Sequence, residues 1–327
     1  MRLTGIVLFM TLLAFAVLCS IAFGTADIPL RHVIGSFTGY SGTQEQLIIR
    51  TARVPRALIA ASVGACLAVA GALMQVIARN PIASPSTFGV NAGAAFFAVI
   101  GAGLLGFESM QAQTWMALAG AGISGLIVFV MGSMGKDGMT PVKITLAGAS
   151  IAAFFASVTQ GYMLTSGKMF DQVLVWLVGS VAGREMNALT AVLPYMGIGM
   201  LLALVLSRHL NVLAMGDDIA QGLGQSTARM KGAAALSIIL LAGASVAAAG
   251  PVAFVGIIVP HVARRIAGSD YRWMIPYCAV LGALLLVTAD LGSRYIAMPK
   301  EVPVGVMTAV IGVPFFVYIA RSGRVTR

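Results

Sequence analysis

The feature that most constrains this chain is a repeated length. Apolar stretches of about 20 residues, the run that crosses a bilayer's hydrocarbon core at 1.5 Å per residue, follow one another with short polar joints between them. Ten can be counted: Gly5 to Phe23, Ala57 to Ile77, Phe88 to Leu105, Trp115 to Met131, Ile144 to Leu164, Leu189 to Leu206, Ala233 to Ala249, Val252 to Ile266, Ile275 to Ile296 and Val304 to Ala320. A soluble domain could not bury so much apolar surface. Charged residues make up 10 % of the chain, against about 25 % in soluble proteins, and apolar residues 59 %. The expected fold is an all-α membrane protein, a polytopic bundle of about ten transmembrane helices forming a single transmembrane domain over residues 1–327. The third and eighth stretches fit the ruler least well. The eighth is entered through Gly250-Pro251 and interrupted by Pro260, so neighbouring helices must cover its broken backbone.

The first stretch is longer than the core of a signal peptide and no A-x-A site follows it, so it reads as a span. Cys19, Cys66 and Cys278 lie inside apolar stretches without C-x-x-C spacing and read as packing residues. An N-terminus on the inside places the larger share of the 21 lysines and arginines on the cytoplasmic face, with both termini there. Basic anchors at the lipid surface account for much of the net charge of +10, which therefore needs no nucleic acid.

The exceptions on the outer side are informative. Arg50, Arg53 and Arg56 recur every third residue in "RTARVPRAL" and would line one edge of a helix. They read either as snorkelling anchors for the second span or as a docking site for an acidic partner or anionic substrate. Asp290 is the one carboxylate well inside a span. An intramembrane acid is a functional candidate by default, but Arg294 follows four residues later on the same helical face, which favours a structural ion pair.

The longest inside loop, 208–232, contains the polar passage "GDDIAQGLGQSTARMK". Its pattern is that of two short helices. Asp217 and Asp218 suit the first N-terminus, Gly224 a left-handed stop, and Ser226 or Thr227 the cap of the second. Ile219, Leu223 and Met230 give the passage an apolar face that a solvated connector would not need, so it is expected to lie against something. No G-x-x-x-x-G-K-[ST] occurs: "TSGKM" and "SMGKD" both fail after the lysine. Transport driven by nucleotide would have to borrow its motor from a partner. An ion-coupled secondary carrier, the alternative, would be expected to bury several carboxylates. His32, His209 and His261 fall in or near loops with no H-E-x-x-H or G-x-S-x-G, and no metal-ligand cluster is present.

Three separated passages, "RVPRALIAASVGACLAVAGALMQVIARNPIASPSTFGVNAGAAF", "AAAGPVAFVGIIVPHVARR" and "VPVGVMTAVIGVPFFVYIARSGR", resemble the signature stretches of the iron-siderophore and vitamin B12 importer permeases, the ten-span subunits of binding-protein-dependent ABC transporters. The resemblance runs along nearly the whole chain. It implies a second permease subunit, identical or paralogous, and two cytoplasmic ATPase subunits that bind ATP and Mg. It also implies an extracytoplasmic binding protein, placement in a bacterial cytoplasmic membrane, and no cofactor on this chain. The implied cargo is a ferric siderophore, with vitamin B12 or haem as alternatives.

Carried over by residue, the resemblance assigns coupling to the ATPase to Gly216, Asp217, Asp218, Ile219, Ala220, Leu223, Gly224, Ser226 and Arg229. It assigns docking of the binding protein to Arg53 and Arg56, the arginines of the R-x-P-R motif, and to Arg294. Asn80 and Pro81 form a cytoplasmic turn, read either as part of the pathway or as a tightly packed corner. The family's cytoplasmic gate would fall at Thr140, Pro141, Val142 and Lys143, although Pro141 fits that comparison loosely. His261 and Arg264, three apart, are expected to face the cytoplasm together.

Overall fold

A computed structural model of the chain describes residues 2–321 apart from 27, 108, 136–139, 166–176 and 299. Helix α1 (Arg2–Ala22) is followed by a short helix α2 (Leu30–Thr38). Then α3 (Gln44–Ile48), a π-helical turn (Ile49–Arg53) and α4 (Val54–Ile77) run on as one 34-residue rod. Next come α5 (Val90–Gly103), α6 (Met110–Ser133), α7 (Pro141–Thr165) and α8 (Met186–Leu213). The short α9 (Asp217–Gly222) leads to α10 (Thr227–Ala249), α11 (Val255–Ala267), α12 (Tyr271–Ser293) and α13 (Val304–Arg321).

Every apolar stretch of the sequence lies on a helix, but not every one is a full crossing. Seven helical runs are long and apolar enough to span a membrane: α1, the rod ending in α4, α6, α7, α8, α10 and α12. The third and eighth stretches are cut short by their backbones. A 3-10 turn at Pro85–Phe88 and a left-handed Gly89 delay α5 to Val90, leaving 14 residues. Left-handed Phe254, φ 68°, delays α11 to Val255, leaving 13.

The rod is the hub of the bundle. Within it 78 % of the most apolar window is buried, against 11 % for α1, which the rest of the chain therefore leaves almost wholly uncovered. α4 packs on α12, α10, α11 and α8. Two of these contacts need glycine: a methyl group on Gly64 would run into the Gly282 carbonyl of α12, and one on Gly71 into the Gly256 carbonyl of α11. Since lipid tails are as apolar as leucine, such close backbone approach and buried polar contacts hold membrane helices together. Ser237 of α10 donates to the Gly199 carbonyl of α8 at 2.7 Å, and Ser124 of α6 to the Gly89 carbonyl at 2.8 Å.

Candidate functional site

The chemistry-bearing residues gather at the two ends of α4. At its C-terminal end the backbone turns sharply: Arg79 adopts φ 47°, and the Asn80 side chain accepts a hydrogen bond from the Ile82 N–H at 3.0 Å, closing a tight turn before Pro81. The left-handed turn aims Arg79 at α9. Its Nη2 lies 3.0 Å from Asp217 Oδ1, and Lys231 Nζ of α10 lies 2.8 Å from Asp217 Oδ2. Asp217 thus clasps α9 to both α4 and α10. Gly216, φ 120°, lets the chain enter α9 directly from α8, and Gly224, φ 80°, ends it in the left-handed conformation expected of that glycine.

The passage holds one short helix rather than two. What the sequence suggests as a second helix is the first turn of α10, because Thr227 continues without a break to Ala249. Ser226 occupies its N-cap but makes no capping hydrogen bond, and Thr227 Oγ1 instead accepts from Gln221 at 3.3 Å. Ala220 is the fully buried residue of α9, while Asp218 and Arg229 are exposed. Met230 packs against the bundle core and so leaves the apolar face. Three large apolar side chains stay uncovered around α9: Met215 just before it, Ile219 within it and Leu223 at its C-cap are 61 %, 49 % and 66 % exposed. This uncovered group surrounds a braced helix.

Beside it opens a cleft of about 510 Å³, lined by Gln75, Arg79, Asn80, Pro81, Gly216, Arg264 and neighbours. Arg264 reaches Gln75 Oε1 of α4 at 3.3 Å. His261 does not join it: its ring meets Phe315 of α13 edge-on at 5.8 Å, so the two residues face different neighbours rather than one surface. Thr140, Pro141, Val142 and Lys143 do not line this cleft either. Pro141 starts α7, Thr140 Oγ1 accepts from the Lys143 N–H at 3.4 Å, and Lys143 Nζ donates to the Met134 carbonyl at 3.2 Å. Those contacts tie α7 to the end of α6. Nearby, Asn211 at the end of α8 donates to Asp270 at 2.7 Å, and with Arg272 it holds that carboxyl below the usual range.

At the other end of α4 the outlying arginines divide. Arg53 is buried and donates to the carbonyls of Ile21, Ala22 and Ala26, at 3.1, 2.6 and 2.5 Å, capping the end of α1. Arg294, 2 % exposed, does the same for Ser20 and Phe23 at 2.7 and 2.8 Å, and its Nη2 lies 2.6 Å from Asp290. Neither guanidinium is placed on a docking surface. Carbonyls at a helix end lack intrahelical partners, and these two arginines satisfy them. Arg56 differs: Nε and Nη2 hold the buried Asp290 at 2.8 to 3.0 Å, while Nη1 meets the half-exposed Glu301 at 2.6 Å. The π turn at Ile49–Arg53 breaks the three-residue spacing, leaving Arg50 outside while Arg53 turns in.

This is the architecture of a polytopic helical membrane protein, braced at one end by buried ions and bearing uncovered apolar side chains at the other. The chain belongs to the FecCD transport family, which it matches over residues 12–322, a family of ABC-importer permeases. It is 51 % identical to the siderophore transport system permease protein YfiZ of Bacillus subtilis, over 95 % of this chain and 94 % of that protein. It is 43 % identical to the Fe(3+)-citrate import system permease protein YfmD of the same organism, over 99 % and 96 %. The ferric enterobactin transport system permease protein FepD of Escherichia coli is 40 % identical over 95 % and 92 %. Among solved structures, a metal-chelate type ABC transporter in an inward-facing conformation shares the fold with a TM-score of 0.85, covering 98 % of this chain and 99 % of that one at 24 % identity.

Proposed function

We propose that this chain is the membrane-spanning subunit of a binding-protein-dependent importer that carries an iron(III)-siderophore chelate across the bacterial cytoplasmic membrane. ATP is bound with Mg and hydrolysed on a separate ATPase seated against α9, and the end of α4 bearing Arg56 faces outward, where the binding protein delivers cargo. A second permease copy, identical or paralogous, completes the pathway. The observation that carries the reading is the exposed group of Met215, Ile219 and Leu223 at and around a helix clasped through Asp217 to the end of α4 and to α10. A short stiff helix with an apolar tip can fill a groove and transmit force to the two spans it is tied to. The kinship with siderophore and iron-citrate permeases supports the cargo class. On the outer face Arg56 is the docking cation, since Arg53 and Arg294 are committed to α1.

The test is uptake of a ferric siderophore into vesicles holding the permease with its co-purified ATPase and binding protein. Uptake is expected only with ATP inside, and Leu223→Asp is expected to abolish it. Uptake that persists without ATP and follows a proton gradient would overturn the proposal.

A further inference from the structure

Between α1 and α4 lies α2, a nine-residue helix with three distinct faces. Ser36 is fully buried, and Val33 packs on a small cluster of Ile21, Ile28, Ile49 and Ala57. Arg31 and Thr38 share an exposed polar strip. Leu30, Ile34 and Phe37, spaced i, i+4 and i+7, form an apolar strip that the bundle leaves uncovered, each at least 60 % exposed. Arg50 holds the helix in this attitude: its Nε donates to the Ser36 carbonyl at 2.7 Å, and its guanidinium lies 4.3 Å from the centre of the Tyr40 ring.

We infer that α2 is an interfacial helix whose Leu30, Ile34 and Phe37 strip is seated in lipid, at the boundary between headgroups and acyl chains. Three observations name lipid as the occupant. The strip continues an uncovered apolar surface of span length: α1 is the most apolar span, exposes Phe15 and Leu18, and is followed at its end by exposed Phe23. Its level is fixed, because Arg53 and Arg294 bind the carbonyls where α1 ends. Finally, exposed Arg31 and Arg50 flank the strip, the arrangement expected of a helix lying under phosphate headgroups, with apolar residues below and cations at the rim. A second copy of the chain would instead set these arginines against their own like.

A nitroxide probe decides the matter. Cys19, Cys66 and Cys278 are replaced by alanine, and a label is placed singly at Ile34→Cys, Phe37→Cys or Thr38→Cys. A label at Phe15→Cys serves as the lipid-facing reference. The full chain is reconstituted in vesicles of phosphatidylethanolamine and phosphatidylglycerol. Labels at positions 34 and 37 are expected to collide with dissolved oxygen far more than with a water-soluble nickel chelate, at a shallower depth than position 15, and position 38 is expected to show the reverse preference. Nickel access at positions 34 and 37 would place the strip in water. Shielding from both reagents would mean that protein, a second copy or another subunit, covers it. Either result overturns the inference.

Discussion

The two ends of α4 solve opposite problems with the same residue types. At the Arg56 end, Asp290 is 1 % exposed and Arg294 2 %, and the buried arginines Arg53 and Arg294 close inward on α1 and α12. At the Arg79 end the acid, Asp217, is 27 % exposed and its partner Arg79 44 %, and a group of large apolar side chains is left open beside them. Buried ion pairs are intolerant of losing a member, whereas exposed ones contribute little each. One end is therefore locked into the bundle by buried ion pairs, and the other combines one buried cation, Lys231, with an exposed pair and an open apolar group.

The sharpest break of this contrast is Asp290→Ala. It leaves two cations without their shared acid, and a loss of about 3–5 kcal/mol is expected from a broken buried pair. Thermal unfolding in detergent should drop steeply, while Asp217→Asn, which leaves a neutral amide in reach of Lys231 and Arg79, should shift it less. Equal shifts would mean that the ends do not differ in kind. Next in size is Leu223→Asp, where removal of a central interface anchor is expected to cost about 2 kcal/mol or more in ATPase association. Co-purification of the ATPase should fail with the unfolding temperature of the permease unchanged. Gly71→Ala probes the shaft between the ends: forcing a methyl group against α11 should cost about 1–3 kcal/mol, read as a lowered midpoint.

Smaller effects sharpen the picture. Glu301→Gln releases the Nη1 donor of Arg56 without touching Asp290, so binding-protein docking should tighten at low salt by no more than about fivefold, the scale of one exposed pair. The gain should fade as salt is added. Docking that is weaker or unchanged would remove Arg56 from that role. The least effect concerns Asp270. Because Asn211 and Arg272 lower its pKa, its contribution is complete above the ordinary carboxylate value of about 4 and is lost as the pH falls through its folded value. Wild type and Asp270→Asn should therefore differ in midpoint at neutral pH and converge in acid.

Much of this was legible in the residues. Length and hydropathy alone placed ten helices, and the i, i+4 spacing identified the pair of Asp290 and Arg294. What was hidden depends on neighbours distant in the chain. Nothing in "RTARVPRAL" says that Arg53 ends on α1, since an unpaired helix-end carbonyl has no sequence signature of its own. Nothing in the spacing marks Met215, which lies outside α9 beyond the turn at Gly216, as a neighbour of exposed Ile219 and Leu223. The truncation of α5 and α11 came from backbone conformation at Gly89 and Phe254, and only the glycine advertises such a turn. α2 escaped notice because its apolar strip is too short to register as a span.

The open group of Met215, Ile219 and Leu223 also bears on how such a subunit is made. A copy synthesised without its motor would carry three large hydrophobic side chains into water at the membrane surface, an invitation to chaperones, proteases and clumping. If these residues are the proposed ATPase contact, quality control would enforce stoichiometry with no dedicated regulator, since the same side chains would mark any orphan for disposal.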